Sequence, residues 1–290
     1  MMVLGLVCVF LLFLSWGFPG CDGNSNPTPD PTPTPGAQAT PTPGGEPTPG
    51  PDDVENQVFF LHHSVGEGLV TGGHMRAAFD AYNAAQGTGI DFWDHGYNGD
   101  GLRDPAGNPT GTNYEIPDDN TDPEGLYWLW TDAGADWTRV RTTLLANYEV
   151  IAFKSCFPAS AIPDADTLQQ YKDWYLAMRD FFDTRTDRVF VVMSTPPLHR
   201  QATNATEAAN ARAFADWLAS SAFLSGHPNV RCFNLFDHLA RADDGSATAN
   251  MLRYDYEGSH DDSDSHPNPL ANETVGPVFA QFLIDAAVGH

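Results

Sequence analysis

The spacing of apolar and polar residues predicts alternating strands and helices from about residue 57 to the end of the chain. Five short runs rich in β-branched and aromatic residues have turn or polar residues on both sides, which is typical of strands. They are Gln57–His62, Gly89–Asp94, Tyr148–Lys154, Arg188–Ser194 and Asn229–Phe236. Apolar residues recur every three or four positions in five longer segments, as in amphipathic helices. These are Leu69–Gln86, Asp136–Asn147, Asp166–Thr184, Glu207–Leu224 and Asn272–Ala287. Because parallel strands need crossover connections, the alternation predicts an α/β fold with a parallel sheet covered on both faces.

Polar residues with catalytic potential follow the first strand and precede the last helix. Ligands of such sheets meet the carboxyl ends of the strands, and Ser64 stands at the end of the first one, with glycines at 66 and 68. His266, in the segment Asp264-Ser265-His266-Pro267, comes just before the last helix. A His there can take the proton from Ser64, and an acidic neighbour can orient its ring. The alternative is that Ser64 only caps a helix, as a Ser after a strand ordinarily does.

The N-terminal segment indicates export. Val3 to Phe18 form an apolar run of 16 residues, shorter than the roughly 20 that a membrane-spanning helix needs. Cys21 follows a small residue after this run and resembles the lipid-attachment site of bacterial lipoproteins. We therefore expect residues 1–20 to be a lipoprotein-type signal and Cys21 to carry a lipid anchor in the bacterial cell envelope. An uncleaved anchor or a plain signal for secretion is the alternative.

The next segment predicts a spacer. Residues 21–52 contain ten prolines between Pro27 and Pro51, with Thr and Gly, and this composition favours extended polyproline II over a packed core. Residues 53–290 are then long enough for one α/β domain with a substantial core.

Charge excludes one class of partner. The chain carries 38 acidic against 14 Lys and Arg residues, a formal net charge of −24, and the basic residues are scattered. A nucleic-acid-binding surface is rich in basic residues, so no nucleic-acid partner is expected. Contact with a membrane is expected only through the lipid at Cys21.

Three motifs together resemble a known superfamily. They are Ser64 after strand one, the loop Ser194-Thr195-Pro196-Pro197-Leu198 after strand four, and the acid plus His266-Pro267 before the final helix. They resemble the SGNH hydrolases, also called the GDSL esterase and lipase superfamily, over essentially the whole domain. The resemblance implies a flavodoxin-like three-layer α/β/α sandwich with a five-stranded parallel sheet in the order 2-1-3-4-5. It also implies a Ser-His-Asp triad without a cofactor, and an oxyanion hole built from the Ser backbone N–H, a Gly and an Asn.

The chain departs from the superfamily pattern in its expected oxyanion donors. His62-His63 precede the Ser where the superfamily has Gly-Asp, and the oxyanion Asn after strand three is missing. Ser155 or Lys154 stands near that place as a substitute donor. Two glycines after strand two, Gly96 and Gly99, are candidates for the Gly, and we assign it to Gly99. Loss of one oxyanion donor commonly costs about 10²–10³ in rate.

The acid of the triad is also displaced. The superfamily places it three residues before the His, where this chain has Ser263, so we assign the role to Asp264, with Asp262 as the alternative. An Asp two residues away reaches the same imidazole nitrogen if the loop turns differently.

Other residues are candidates for substrate contacts or metal binding. His63 and His199 are placed near the expected cleft, and Trp128 lies in a long aromatic insertion from Gly96 to Ala135 that suits stacking on sugar rings. The alternative is that the insertion only packs on the sheet. Asp118 to Asp122 fail the EF-hand pattern for calcium. His62, His63 and His95 as metal ligands rank last, because adjacent strand residues point to opposite faces.

These observations lead to one prediction and one alternative. We predict an exported serine esterase that acts on a small ester or an acylated carbohydrate. The alternative is a non-catalytic glycan-binding surface lipoprotein with the same fold. Cys156 and Cys232 are the two cysteines of the domain, and we favour free thiols over a disulfide.

Overall fold

A computed structural model describes residues 56–119 and 122–289. The predicted signal 1–20, the lipid site Cys21 and the spacer 21–52 lie outside the described residues. Within the described ranges, no helix combines the length and the apolar character required to cross a membrane.

The centre of the domain is a six-stranded sheet. Its strands are β1 (Gln57–Leu61), β2 (Asp91–His95), β3 (Leu102–Arg103), β4 (Val150–Lys154), β5 (Val189–Met193) and β6 (Val230–Phe233). Their order in the sheet is β3-β2-β1-β4-β5-β6, and all neighbours are parallel except β3, which pairs antiparallel with β2. The predicted α/β fold with a mostly parallel sheet is confirmed. The sheet has six strands and not the five predicted. The additional strand, β3, was not predicted because two residues show no alternating pattern.

Helices cover both faces of the sheet. The α-helices are α1 (Ser64–Glu67), α2 (Met75–Gln86), α3 (Pro123–Thr131), α4 (Ala135–Asn147), α5 (Ala165–Phe182), α6 (Ala205–Leu218), α7 (Ser221–Leu224), α8 (Leu235–Leu239) and α9 (Pro269–Val288). A π-helical turn, Gly68–Gly72, follows α1, and 3₁₀ turns occur at Pro117–Asp119, Phe157–Ser160 and Tyr254–Tyr256.

Alternation along β1 separates two hydrophobic layers. Val58 and Phe60 pack with α2 and α9, whereas Phe59 and Leu61 pack on the other face with α3 to α6. All four side chains are almost fully buried. Burial of each such side chain stabilises the fold by about 1.5–3 kcal/mol, so the strand is held in one register by both layers.

The predicted helix 69–86 is interrupted where two backbones meet. His74 adopts a left-handed conformation with φ of 54°, which separates the π-helical turn from α2. A Cβ on Gly73 would lie 2.7 Å from the Cα of Gly276 in α9. The two glycines therefore allow the close approach of α9 to this turn.

The helix α3 lies in the long insertion and was not predicted. Its Trp130 is fully buried and packs edge-to-face on Phe182 and Phe190, with ring centroids 5.2 and 5.3 Å apart. The Asp122 side chain caps the helix by accepting a hydrogen bond from the Gly125 N–H at 2.8 Å. The insertion thus contributes a helix to the core.

No disulfide joins the two domain cysteines, which are among the described residues. Cys156 follows β4 and Cys232 lies in β6, with β5 between those strands. The interpretation favoured from the sequence is confirmed.

Candidate active site

The structure brings together Ser64, His266 and Asp264. Ser64 begins α1 after the two residues, His62 and His63, that follow the end of β1, and His266 comes three residues before α9. The Ser64 Oγ lies 2.8 Å from the His266 Nε2, and the His266 Nδ1 lies 2.6 Å from an Asp264 carboxylate oxygen. Because the carboxylate only accepts, Nδ1 carries the proton and Nε2 is left to accept the Ser64 hydroxyl proton.

The Ser64 hydroxyl does not cap α1. His63 occupies the N-cap position, and its side chain makes no capping hydrogen bond. The Ser64 Oγ is instead bonded to His266. The alternative interpretation of Ser64 as an ordinary helix cap therefore does not describe this structure.

Asp264 and Asp262 have different contacts. Asp264 accepts the His266 backbone N–H at 3.0 Å as well as the ring Nδ1–H. Burial raises the pKa of the Asp264 carboxyl, but the hydrogen bonds from His266 outweigh it and the pKa lies below its ordinary value. Asp262 accepts only the Asp264 backbone N–H in this segment, at 2.9 Å. Asp264 is thus the acid that orients His266.

A buried carboxylate supports the loop that carries His266. Glu257 accepts hydrogen bonds from Arg200 and from His260 Nδ1 at 2.8 Å, and lies 3.1 Å from the Nε2 of His199. Burial raises the Glu257 pKa, but these partners outweigh it and the pKa lies below the ordinary value. Ser265, also in the loop, accepts the His199 backbone N–H at 2.9 Å. Neither Glu257 nor Ser265 belongs to a sequence motif, so their role in supporting the loop could not be predicted from the sequence.

His199 is fully buried within this support. Its Nδ1 accepts the Gln201 backbone N–H at 3.1 Å, which leaves Nε2 to donate to Glu257. Both ring nitrogens are therefore used inside the protein. The predicted substrate contact by His199 has no support in this geometry.

The residues predicted as oxyanion donors lie in different surroundings. The Ser155 hydroxyl lies 3.0 Å from the Tyr175 hydroxyl of α5, in the layer opposite to α9, so it is not aimed at Ser64. Gly99 lies in an exposed turn, where an added Cβ would meet no atom within 4 Å. Lys154 is fully buried and donates to the Ser155 carbonyl at 3.0 Å. The Ser64 N–H lies in the first turn of α1, where N–H groups have no intrahelical partner.

Aromatic side chains lie next to the residues of the triad. Phe157, after β4, packs edge-on against the His266 ring with centroids 5.0 Å apart. The His63 ring stacks on Tyr97 at 4.0 Å, and its Nε2 lies 3.6 Å from Asp119. Burial lowers the His63 pKa despite Asp119. His63 thus lies beside Ser64 mainly as a buried neutral ring.

Trp128 lies in the insertion helix α3. Its ring is 6.0 Å from that of Trp137 in α4, and the side chain is half-buried. Both helices belong to the layer opposite to α9. The position fits the alternative, in which the insertion packs onto the sheet.

The histidines considered as metal ligands have separate partners. His95 donates from Nδ1 to the Gly96 carbonyl at 2.8 Å and accepts the Tyr114 N–H at 3.2 Å. Burial lowers its pKa, so it is a neutral structural ring.

One cluster of the described residues has the spacing of a metal site, formed by His62, Glu67 and Asp94. Arg103 contacts both Glu67 oxygens at 2.7 Å, and Arg76 bonds to Asp94. Because guanidinium groups already neutralise both carboxylates, this cluster is not suited to a cation.

The chain matches no protein-family model, and no curated protein matches it in sequence.

Proposed function

We propose that the protein is an exported serine hydrolase of the SGNH type that cleaves carboxylic esters. The observation that carries the proposal is the continuous hydrogen-bonded chain from Ser64 through His266 to Asp264. In a protein, this arrangement raises the nucleophilicity of a Ser by providing a base that is already oriented.

The reaction follows from these contacts. The Ser64 Oγ attacks the ester carbonyl carbon while the His266 Nε2 takes its proton, and the carbonyl oxygen becomes an oxyanion. Collapse of this intermediate breaks the ester C–O bond, and His266 gives the proton to the departing alcohol. Water, deprotonated by His266, then attacks the acyl carbon. The bond from that carbon to the Ser64 Oγ breaks, His266 returns the proton to the Ser64 Oγ, and the carboxylic acid leaves. Asp264 stabilises the imidazolium in both steps.

The order of the strands supports the flavodoxin-like sandwich that the resemblance implies. The five longer strands, β2-β1-β4-β5-β6, are all parallel and correspond to the order 2-1-3-4-5 once β3 is set aside. A flavodoxin-like sandwich has this order, and its ligands meet the carboxyl ends of the strands, where Ser64 lies. The extra strand β3 is then an edge addition.

The proposed oxyanion site has few hydrogen-bond donors among the described residues. The Ser64 N–H is one donor, whereas the Ser155 hydroxyl is bonded to Tyr175 and does not act as another. Because an oxyanion donor commonly contributes about 10²–10³ in rate, we expect a slow esterase.

We propose a small ester or an acylated carbohydrate as the substrate class. Support comes from the expected export signal and from aromatic residues near the triad, such as Phe157 and Tyr97. The same aromatics, with the engaged Ser155 hydroxyl, favour the second candidate, a glycan-binding surface lipoprotein without catalysis.

Labelling with a fluorophosphonate distinguishes the two candidates. The full-length chain in detergent is treated with the probe and read by intact mass and peptide mapping. We expect one adduct on Ser64, absent in His266→Ala, and, with protein that has not been labelled, acetate release from acetylated sugars. A folded chain that gives no adduct would contradict the hydrolase proposal and direct attention to glycan binding.

A further inference from the structure

A buried network of charged groups lies directly beneath Ser64. The His62 side chain is fully buried, and its Nε2 lies 3.0 Å from an Asp94 carboxylate oxygen. The other Asp94 oxygen accepts a hydrogen bond from Arg76. Burial raises the Asp94 pKa, but His62 and Arg76 outweigh it, so the pKa lies below its ordinary value and the group stays ionised.

The other nitrogen of the His62 ring reaches the backbone of the nucleophile. Its Nδ1 lies 3.0 Å from the His63 carbonyl oxygen, which also accepts the Glu67 N–H at 3.0 Å. A carbonyl and a carboxylate both only accept, so Nδ1 and Nε2 each donate and the His62 ring carries both protons. The His63 carbonyl is therefore held by two donors at once.

This carbonyl and the Ser64 N–H belong to one peptide group. Among the described residues all peptide bonds are trans, and in a planar trans peptide the C=O and N–H point in opposite directions. Whatever fixes the direction of the His63 carbonyl also fixes the direction of the Ser64 N–H. The hydrogen bond from His62 therefore acts on the donor that the proposed reaction needs.

We propose that His62 is a positioning residue for the oxyanion donor, with its Nδ1–H holding the His63–Ser64 peptide and Asp94 with Arg76 holding the ring. This inference rests on the proposed hydrolase function. It also gives a chemical reason for a His before the His63-Ser64 pair.

Packing keeps the His62 ring in place. A Cβ on Gly66 would lie 2.2 Å from the Cβ and 2.6 Å from the Cγ of His62, so α1 rests directly on this side chain. The ring is confined between α1 and Asp94. Because the ring cannot move, the Ser64 N–H that it positions does not have to reorient during the reaction. Donors that are already oriented stabilise an oxyanion most effectively.

Two substitutions separate the two ends of the ring. In His62→Asn the amide nitrogen stands near the position of Nδ1, so the bond to the His63 carbonyl is retained. In His62→Gln the amide nitrogen stands near the position of Nε2, so only the contact with Asp94 is retained. Both remove the ring and keep an amide, and each serves as the control for the other.

The variants are compared in the full-length chain by kcat and KM for an aryl acetate and by thermal unfolding. We expect kcat of His62→Asn to stay within about tenfold of the wild type, and kcat of His62→Gln to fall by about 10² or more at similar KM. Equal loss of kcat in two folded variants, or a loss confined to KM, would overturn the inference. Esterase activity that survives in Ser64→Ala would instead contradict the proposed function itself.

If neither variant folds, the wild-type ring is measured directly. Nitrogen-15 NMR of labelled histidine in the full-length chain should show a protonated His62 Nδ1 whose proton exchanges slowly with solvent. An unprotonated Nδ1 would overturn the inference, because the bond to the His63 carbonyl would then not exist.

Discussion

The Ser64 Oγ and the His266 Nε2 lie 2.8 Å apart although 202 positions separate the two residues in the chain. Ser64 follows β1 in the middle of the sheet, and His266 precedes α9, which packs on the same face as α1 and α2. Asn268 caps α9 by accepting the Ala271 N–H at 3.1 Å, and Pro269 begins the helix. The start of α9 is thus fixed, and this fixes the His266 segment over Ser64.

Removal of either partner of this pair should abolish labelling and turnover. Ser64→Ala removes the nucleophile and His266→Ala removes the base, so we expect kcat for an aryl acetate to fall by roughly 10³ or more in each. Both side chains are only partly buried, and the thermal unfolding midpoint should change little. A double variant should be no slower than the single variants, because the two residues act as a unit. Additive losses would argue against a shared mechanism.

Asp264 and Asp262 form a matched pair two positions apart. Asp264→Asn removes the acceptor that fixes the proton on His266 Nδ1, so we expect kcat to fall by about 10² or more. Asp262→Asn removes a charge but keeps an oxygen that can accept the Asp264 backbone N–H, and kcat should stay within about threefold of the wild type. Steady-state kinetics of the two purified variants checks this. If Asp262→Asn were the slower enzyme, the assignment of the acid would be reversed.

Glu257 should make stability depend on pH. Its pKa is lower in the folded protein than its ordinary value of about 4.3, so the carboxylate stabilises the fold above that pH. As the pH falls through the lower folded value, Glu257 becomes protonated and this contribution disappears. The unfolding midpoint of Glu257→Gln should therefore lie well below that of the wild type at pH 7, and the difference should narrow as the pH is lowered through the folded pKa of Glu257.

Chemical denaturation at several pH values measures this difference. The substitution Glu207→Gln is a suitable control, because Glu207 is only half-buried and has no guanidinium or imidazole partner in the described structure. A gap between wild type and Glu257→Gln that stays constant over the whole acidic range would show that packing, and not charge, is the source of the effect.

Two glycine positions test the close approach of α9. A Cβ on Gly73 would lie 2.3 Å from the Leu69 carbonyl oxygen and 2.6 Å from that of Asn272, and backbone atoms cannot easily move away. We expect Gly73→Ala to lower the free energy of unfolding by about 1–3 kcal/mol. Gly89→Ala is the control, because a Cβ there would meet no atom within 4 Å. Equal stability of both variants in urea denaturation would contradict the packing described between α9 and this turn.

Sequence patterns predicted the parts of the fold and the site that depend on local periodicity or on strand ends. Ser64, His266 and Asp264 could be found because they stand at element boundaries, where polar residues are conspicuous. The strand β3 and the helix α3 were missed. Two residues cannot show alternation, and Trp130 could equally have belonged to a loop that binds sugar. Roles that depend on the partner a side chain meets in three dimensions were not predictable.

Ser155 illustrates that limit. Its position after β4 suggested an oxyanion donor, yet its hydroxyl bonds to Tyr175 in the opposite layer. Strand alternation by itself does not say which hydroxyl will find a partner inside the core. His199 is similar, since its position in the loop after β5 gave no sign of the buried Glu257.

Ser155→Ala tests whether that hydroxyl contributes to catalysis. Because the hydroxyl is bonded to Tyr175, its loss should lower the free energy of unfolding by about 1 kcal/mol and leave kcat within about threefold of the wild type. Tyr175→Phe removes the other partner of the same bond and should have a similar effect on stability. Kinetics with an aryl acetate and urea denaturation of the two variants measure both quantities. A fall in kcat of about 10² in Ser155→Ala, without a corresponding fall in Tyr175→Phe, would restore Ser155 as the second oxyanion donor.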